Sequence, residues 1–354
     1  MILVNGVQLA LGHRDSSSPE GIDILNFLVR HPALRAASSS YKALPERTFS
    51  LCDKSDFLVT RETKWVYINQ KEYATVDPYM VDIVGTDGQQ TCVGLVIRNP
   101  KTGRISVAHI IYDYIVDMGI TQMISSICDQ ESNDILDVHV IGGYNTSPKQ
   151  SCRMWDGVST FICLKIVEIL WKSTKRFNIQ TLYILNDNTI YDREGNAYPL
   201  LKGFLVETGK GSIFPATFHV TTKGPDEYIR SIRERASLRD LNWKNRFLET
   251  YDTESDQFVI AHVSRGKRYL KYIESLRNQS DEELCNTYFT IPVPASPHNI
   301  RLIRSDLEEL FQVPDWEKVF PFRRPRIFFR SNNGGWTMRT LEHVQIIKRT
   351  AGKR

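Results

Sequence analysis

The order of predicted elements along the 354-residue chain indicates an α+β fold with mixed or antiparallel sheets. Strand-like and helix-like segments alternate irregularly, without the regular repeat of a doubly wound parallel sheet. Residues 92–98 and 104–111 read as two strands joined by the short turn NPKTG, which is typical of an antiparallel hairpin. The length allows one large domain or two ordinary ones.

The first 76 residues are predicted to contain one helix and several short strands. Residues 16–34 carry an apolar face at helical spacing, and Pro19 fits the first turn of such a helix. The serine-rich residues 36–44 are interpreted as a loop. Residues 57–76 alternate in polarity and are rich in aromatic and β-branched residues, which predicts strands.

The middle of the chain contains further helices and strands. An apolar strand at 135–145 contains Gly142-Gly143, and a helix at 224–238 opens on Pro225. The remaining elements are predicted as helices at 112–130 and 155–177 and strands at 179–189, 201–208 and 213–220.

The composition is that of an ordinary globular protein, with 41% hydrophobic and 24% charged residues. A net charge of +4 on so long a chain does not by itself favour nucleic acid. The six cysteines form no CxxC pair, which predicts reduced thiols in the cytoplasm or also the nucleus. No apolar run approaches the roughly 18 residues of a membrane span, so we expect no membrane association.

The C-terminal region differs in composition from the rest. From Arg323 to Arg354 it holds nine Lys and Arg against a single acid, Glu342. Basic residues interleaved with aromatic ones suit nucleic acid, so a scaffold or nucleic-acid-binding protein is the non-enzymatic alternative. Arg-Ile-Phe-Phe-Arg also fits an edge strand with solvated arginines. We predict one domain over residues 1–320 and a basic, partly strand-forming extension over 321–354.

Cys92 and His109 lie near the same end of the predicted hairpin. Taken singly, a cysteine beside an apolar run is more often a small buried hydrophobe. A free thiol with a pKa of about 8.5 is only a few per cent thiolate at pH 7. A nearby imidazole can accept its proton, and the backbone N–H groups of residues 89–91 can hold an oxyanion. The pair therefore suits nucleophilic cysteine chemistry.

Other segments give weaker signals. Asp187, Asp192 and Glu194 fall within LNDNTIYDREGN, which lacks a full set of ligands for a metal ion. Gly142-Gly143 is too little for a nucleotide-binding fingerprint. We expect the two glycines to let the backbone approach closely near Cys92.

The segment DGQQTCVGLVIRNPKTGRISVAH, followed by LDVHVIGGYN, resembles the Cys-His core of the bacterial chemoreceptor glutamine deamidases. Over most of its length the chain is similar to the protein N-terminal asparagine amidohydrolases. The similar segments, in shared order, are LVNG near the start, TC at 91–92, VHVIGGY at 138–144, LND at 185–187, ATFHVTTKGPDEYIR at 216–230, YDTESDQFVI at 251–260 and SPHNIRLIR at 296–304.

This resemblance implies two packed β-sheets with flanking helices, shared with a cytotoxic-necrotizing-factor-like group of cysteine hydrolases. It implies hydrolysis of the side-chain amide of an N-terminal asparagine through a thioester, without metal or organic cofactor. Proteins or peptides that begin with Asn would be the substrates. The product would feed the N-degron pathway, whose enzymes would be partners. A deamidase of internal Gln or Asn is the alternative enzyme.

The resemblance also assigns roles to residues. Cys92 is expected to be the nucleophile, His109 its base, and Thr86 the residue whose hydroxyl orients the imidazole. Thr91 and Gly142-Gly143 are expected beside the substrate.

One departure from the family concerns an acid. The family reads Glu-Pro-Pro-His where this chain reads Ala295-Ser296-Pro297-His298. A carboxylate there is suited to the substrate's α-ammonium, so another acid must serve in this chain. Asp87, five residues before Cys92, is the candidate, although it also fits a turn-forming pair with Gly88.

Overall fold

The α+β class with mixed sheets is confirmed by a computed structural model, which describes residues 1–10, 21–51, 63–129, 131–146, 157–288, 297–312 and 316–338. The larger sheet has eight strands, in spatial order β15 (Leu248–Glu249), β5 (Glu72–Val76), β8 (Ile105–Ile110), β7 (Val93–Arg98), β9 (Ile135–Gly142), β10 (Arg176–Ile184), β1 (Ile2–Val4) and β2 (Val7–Gln8). Strand β9 is parallel to β10 and antiparallel to β7.

The smaller sheet has five strands, in spatial order β3 (Arg47–Phe49), β14 (Ser212–Phe218), β13 (Phe204–Glu207), β6 (Ile83–Thr86) and β4 (Trp65–Tyr67). It is also mixed, since β6 is antiparallel to β13 and parallel to β4. Two further sheets are formed by β11 (Thr189–Tyr191) with β12 (Ala197–Pro199), and by β16 (Tyr251–Asp252), β17 (Gln257–Ile260), β18 (Arg326–Arg330) and β19 (Trp336–Met338).

The helices lie outside the two main sheets. None of them, within the described residues, is long and apolar enough to span a membrane. They are α1 (Gly21–Arg30), α2 (Pro32–Lys42), α3 (Val116–Ile127), α4 (Val158–Lys172), α5 (Glu227–Ser237), α6 (Lys267–Arg277), α7 (Asp281–Tyr288), α8 (Pro297–Gln312) and α9 (Trp316–Val319).

Apolar layers hold these elements together. The two main sheets pack face to face through residues such as Val96 and Val107 of the larger sheet and Val84 and Phe204 of the smaller one. Helices α1, α3 and α4 cover the other face of the larger sheet, and α5 to α8 share a separate apolar cluster. Burial of apolar surface contributes about 25 cal/mol per Å², so these layers supply the main driving force for folding.

The prediction of a loop in the serine-rich segment is wrong. Residues 36–44, interpreted as a loop, belong largely to helix α2, which buries Leu34, Ser38 and Tyr41 along one face. The Tyr41 ring packs on Tyr183 with 5.2 Å between centroids, and the Ser38 hydroxyl donates to Asp187. These tertiary contacts outweigh the weak helix propensity of the serine run.

The predicted C-terminal extension is joined to the rest of the chain where it is described. Strand β18 lies between β17 and β19, and Phe328 belongs to the layer between the sheets. The expectation of an edge strand with solvated arginines is wrong, because Arg326 pairs with Asp226 at 2.6 Å and Arg330 with Asp256 at 2.8 Å. Some positions named in the sequence analysis lie outside the described residues. They are the predicted start of the first helix, Cys52, Cys152, Ala295, Ser296 and residues 339–354.

A fully buried ion cluster connects α5 to the larger sheet. Glu72 on β5 accepts hydrogen bonds from Arg230 and, at 2.7 Å, from Arg233, and all three side chains are 0% exposed. Burial would raise the pKa of Glu72, but the two guanidinium groups hold it below its usual value. The carboxylate is therefore ionised, and it compensates two buried cations.

We predict that Glu72→Gln lowers the free energy of unfolding by about 3–5 kcal/mol at pH 7, since it leaves both guanidinium groups without an anion. Urea denaturation measures this loss. The matched control is Glu254→Gln, which removes an exposed partner of Arg104 and should cost less than about 1 kcal/mol. Equal losses for both variants would show that the buried cluster contributes no more than a surface pair.

Candidate active site

Cys92 and His109 lie at the same end of the β7–β8 hairpin, as predicted. In the antiparallel register Gly94 faces His109 and Val93 faces Ile110, and Cys92 directly precedes β7. Both side chains are buried, with 7% of Cys92 and 1% of His109 exposed. Strand pairing therefore places Cys92 and His109 at one end of the hairpin, two positions apart in its register.

The backbone of Cys92 is held by the two glycines that follow β9. The Gly143 N–H donates to the Cys92 carbonyl at 2.8 Å, and Gly142 has a φ of +102°. A Cβ at Gly142 would lie 3.1 Å from the same carbonyl oxygen, so glycine permits the close approach that was expected here. Neither glycine is among the described residues that line the cavity at Cys92, and both lie against the backbone of that residue.

Thr86 contacts the imidazole across the interface between the sheets. Its Oγ1 lies 2.7 Å from His109 Nδ1, and both residues are buried. Burial lowers the pKa of His109 to about 4, partly opposed by the charges of Asp87 and Glu72. The imidazole is therefore neutral at pH 7. Its Nε2 is buried and has no hydrogen-bond partner among the described residues.

The Cys92 thiol is neutral as well. Burial raises its pKa to about 12; the Gln90 N–H and the Thr91 side chain oppose this rise, and the Glu234 charge adds to it. The expected hydrogen bond between the sulfur and His109 Nε2 is not formed in this structure. Such bonds commonly tighten only when substrate is present.

Cys92 opens into a cavity of about 280 Å³. Its wall combines both polar and apolar groups, which suits a short polar side chain attached to a peptide. The described residues that line it are Gln70, Gly88, Gln90, Thr91, Cys92, Ile111, Tyr112, Glu234, Arg235, Leu238, Arg239, Tyr272, Ile273, Leu276 and Thr287. Thr91 lies on this surface, whereas His109 and Thr86 are not among the described lining residues.

Asp87, which was predicted to lie beside the substrate, is not among these lining residues. Its carboxylate accepts hydrogen bonds from the Tyr67 hydroxyl at 2.9 Å, the Phe218 N–H at 2.7 Å and Lys223 Nζ at 2.8 Å. These three donors from the chain itself occupy the carboxylate and fix the end of β6.

The carboxylate that does line the cavity is Glu234, which the sequence reading missed. It belongs to a polar stripe on α5 with Arg230, Arg233 and Ser237, and all four are buried. The stripe has the i, i+3, i+4, i+7 spacing that is usually apolar on a buried helix face. Charged residues at this spacing were the sequence signal that could have identified Glu234.

A family model described as protein N-terminal asparagine amidohydrolase matches residues 56–338. A protein of that name from Arabidopsis thaliana is 40% identical over 345 residues, which cover 95% of this chain and 99% of that protein. Proteins of the same name from Mus musculus and Sus scrofa are each 23% identical to this chain over 276 residues. Those residues cover 77% of this chain, 83% of the Mus musculus protein and 82% of the Sus scrofa protein. The matched range includes Thr86, Cys92 and His109.

We predict that Thr86→Val disturbs the tautomer of His109, because Nδ1 loses its partner. Leaving a buried polar group unsatisfied should also cost about 1–3 kcal/mol of stability. Nitrogen NMR of the imidazole reports the tautomer directly. Thr75→Val, which removes a buried 3.0 Å bond to Ser106, is the control for stability alone. An unchanged imidazole spectrum in Thr86→Val would contradict the prediction.

Proposed function

The chain belongs to the protein N-terminal asparagine amidohydrolase family, and we propose that it hydrolyses the side-chain amide of an N-terminal asparagine to aspartate and ammonia. The observation that carries this proposal is the position of Cys92, which opens into a cavity beside the buried His109–Thr86 pair. The matched range and the high identity to the Arabidopsis thaliana protein support the same reaction.

The first chemical step forms a bond between the Cys92 sulfur and the carboxamide carbon. Since the thiol and the imidazole are both neutral, His109 Nε2 accepts the proton as the sulfur attacks. For Nε2 to be the acceptor, Nδ1 must carry the proton and donate it to Thr86 Oγ1. The charges of Asp87 and Glu72 stabilise the imidazolium that results.

The second step releases ammonia. Backbone N–H groups, including that of Cys92 itself, hold the tetrahedral oxyanion. The imidazolium of His109 gives its proton to the leaving nitrogen, and a thioester remains on Cys92. His109 then takes a proton from water, which attacks the thioester and regenerates the thiol as N-terminal aspartate departs.

The product suggests a place in protein turnover. We propose that proteins or peptides beginning with Asn are substrates, and that the N-terminal aspartate feeds the N-degron pathway in the cytoplasm or nucleus. Within the described residues Cys92, Cys128, Cys163 and Cys285 are all free thiols, in keeping with a reducing compartment. The nucleic-acid alternative loses support because Arg326 and Arg330 are both ion-paired.

The experiment that tests the reaction follows ammonia release from short peptides. A peptide with a free N-terminal Asn should be turned over, whereas acetylated Asn, internal Asn and N-terminal Asp should not. N-terminal Gln adds one methylene, which a pocket discriminates by about 10–200-fold. Comparable rates on free and acetylated Asn would favour the deamidase of internal residues instead.

We predict that Cys92→Ala abolishes ammonia release and that His109→Ala lowers the rate roughly 10²- to 10⁴-fold, the usual worth of acid-base catalysis. Rapid quenching and mass spectrometry of the wild type should show an adduct of peptide minus ammonia on Cys92. Cys128→Ala and His219→Ala are controls outside the site and should retain activity. Near wild-type release by Cys92→Ala would exclude the thioester mechanism.

A further inference from the structure

The cavity at Cys92 contains a carboxylate without a partner. Glu234 lies in the last turn of α5 and is 7% exposed, and it is the one carboxylate among the described residues that line the cavity. No described residue donates a hydrogen bond to this carboxylate or pairs with it within 4 Å. The carboxylate therefore faces the cavity with no partner among the described residues, which suits a ligand of opposite charge.

The nearby cations are engaged elsewhere. Arg230 and Arg233 bind Glu72, and Lys71 Nζ donates to the Ser237 hydroxyl at 2.7 Å and to a backbone carbonyl at 2.8 Å. Arg239 stacks on the Tyr272 ring, 3.2 Å from its centroid. Arg235, the nearby charge that most opposes the rise in the Glu234 pKa, has another partner as well. Since none of these cations pairs with Glu234, its carboxylate remains available to a cation that enters the cavity.

The electrostatic surroundings of Glu234 agree with this geometry. Burial raises its pKa to about 7 and the charge of Glu72 adds to the rise, while Arg235, Lys71 and Arg239 oppose it. A bound cation would favour the ionised form, so binding and ionisation of Glu234 reinforce each other.

We propose that Glu234 accepts the α-ammonium of the substrate's N-terminal asparagine. This inference rests on the proposed function and identifies the residue that restricts it to N-terminal residues. An ammonium has three donors and no acceptor, so its burial requires oxygen atoms, preferably charged ones. The α-ammonium and the carboxamide are separated only by Cα and Cβ, so one cavity must hold both Glu234 and the nucleophile, as this one does.

Glu234 also acts on the nucleophile. Its negative charge disfavours the thiolate of Cys92. A bound ammonium offsets that charge and removes this contribution to the raised pKa of the thiol, while burial, the larger cause, remains. An acetylated or internal asparagine has no ammonium to bind Glu234 and therefore loses this contact.

The test compares two peptides on three proteins. One peptide begins with Asn, and the other begins with a succinamoyl group, which keeps the carboxamide but has hydrogen in place of the α-ammonium. The proteins are the wild type, Glu234→Gln and the control Glu227→Gln, which makes the same change on α5 outside the cavity lining. The measured quantity is kcat/KM for ammonia release.

We expect the wild type and Glu227→Gln to prefer the Asn peptide by about 30-fold to several thousand-fold, as for a buried charge pair that loses one member. Glu234→Gln should lose this preference through slower turnover of the Asn peptide. Its rate on the succinamoyl peptide should be unchanged or higher, because the charge that opposes the thiolate is gone. Glu234→Asp, which keeps the charge, should retain part of the preference.

Two outcomes would overturn the proposal. Equal loss on both peptides would mean that Glu234 only supports the site, and an intact preference in Glu234→Gln would place the ammonium elsewhere. Calorimetric binding of the Asn peptide to Cys92→Ala, with and without Glu234→Gln, tests the contact without turnover. If the wild type releases no ammonia, the proposed reaction fails. The binding comparison then still decides the role of Glu234: weaker binding supports it and unchanged binding refutes it.

Discussion

The arrangement of the site depends on the buried contact between Glu72 and the two arginines of α5. Arg230 and Arg233 lie one turn apart, so binding a single carboxylate fixes both the position of the helix and its rotation about its axis. That rotation directs the next residue, Glu234, into the cavity. The same strand is preceded by Lys71, whose N–H donates to the His109 carbonyl at 2.9 Å. The ion cluster around Glu72 thus connects His109, the proposed base, with Glu234, the proposed ligand of the ammonium.

The site also depends on the burial of the thiol and the imidazole. Burial moves the pKa of Cys92 up to about 12 and that of His109 down to about 4, so the pair is neutral at rest. A neutral thiol is a weak nucleophile. In the proposed mechanism His109 removes its proton as the sulfur attacks the carboxamide, and the substrate's ammonium offsets the charge of Glu234.

Sequence reasoning identified the residues that local structure brings together. Cys92 and His109 share a hairpin, and Thr86 precedes the cysteine by six residues, so pairing rules and resemblance were sufficient to select them. Glu234 follows Cys92 by 142 residues, and no local pattern shows which helix face meets the sheet. Asp87 was placed beside the substrate because its partner Lys223, 136 residues away, could not be identified from the sequence. Helix α2 was not predicted for the same reason, because contacts with distant residues stabilise its serine run as a helix.

The family resemblance and the structure assign the acidic function to different segments. Where the resemblance implies a glutamate, this chain has Ala295, and the carboxylate proposed to bind the ammonium lies instead on α5. Recognition of an ammonium requires only that a carboxylate lie at the right distance from the reacting carbon, and either segment can meet that requirement if it borders the cavity. The nucleophile and its base are constrained more tightly, because proton transfer needs direct contact. The proposed acid is therefore less tightly bound to one segment of the chain than the Cys-His hairpin is.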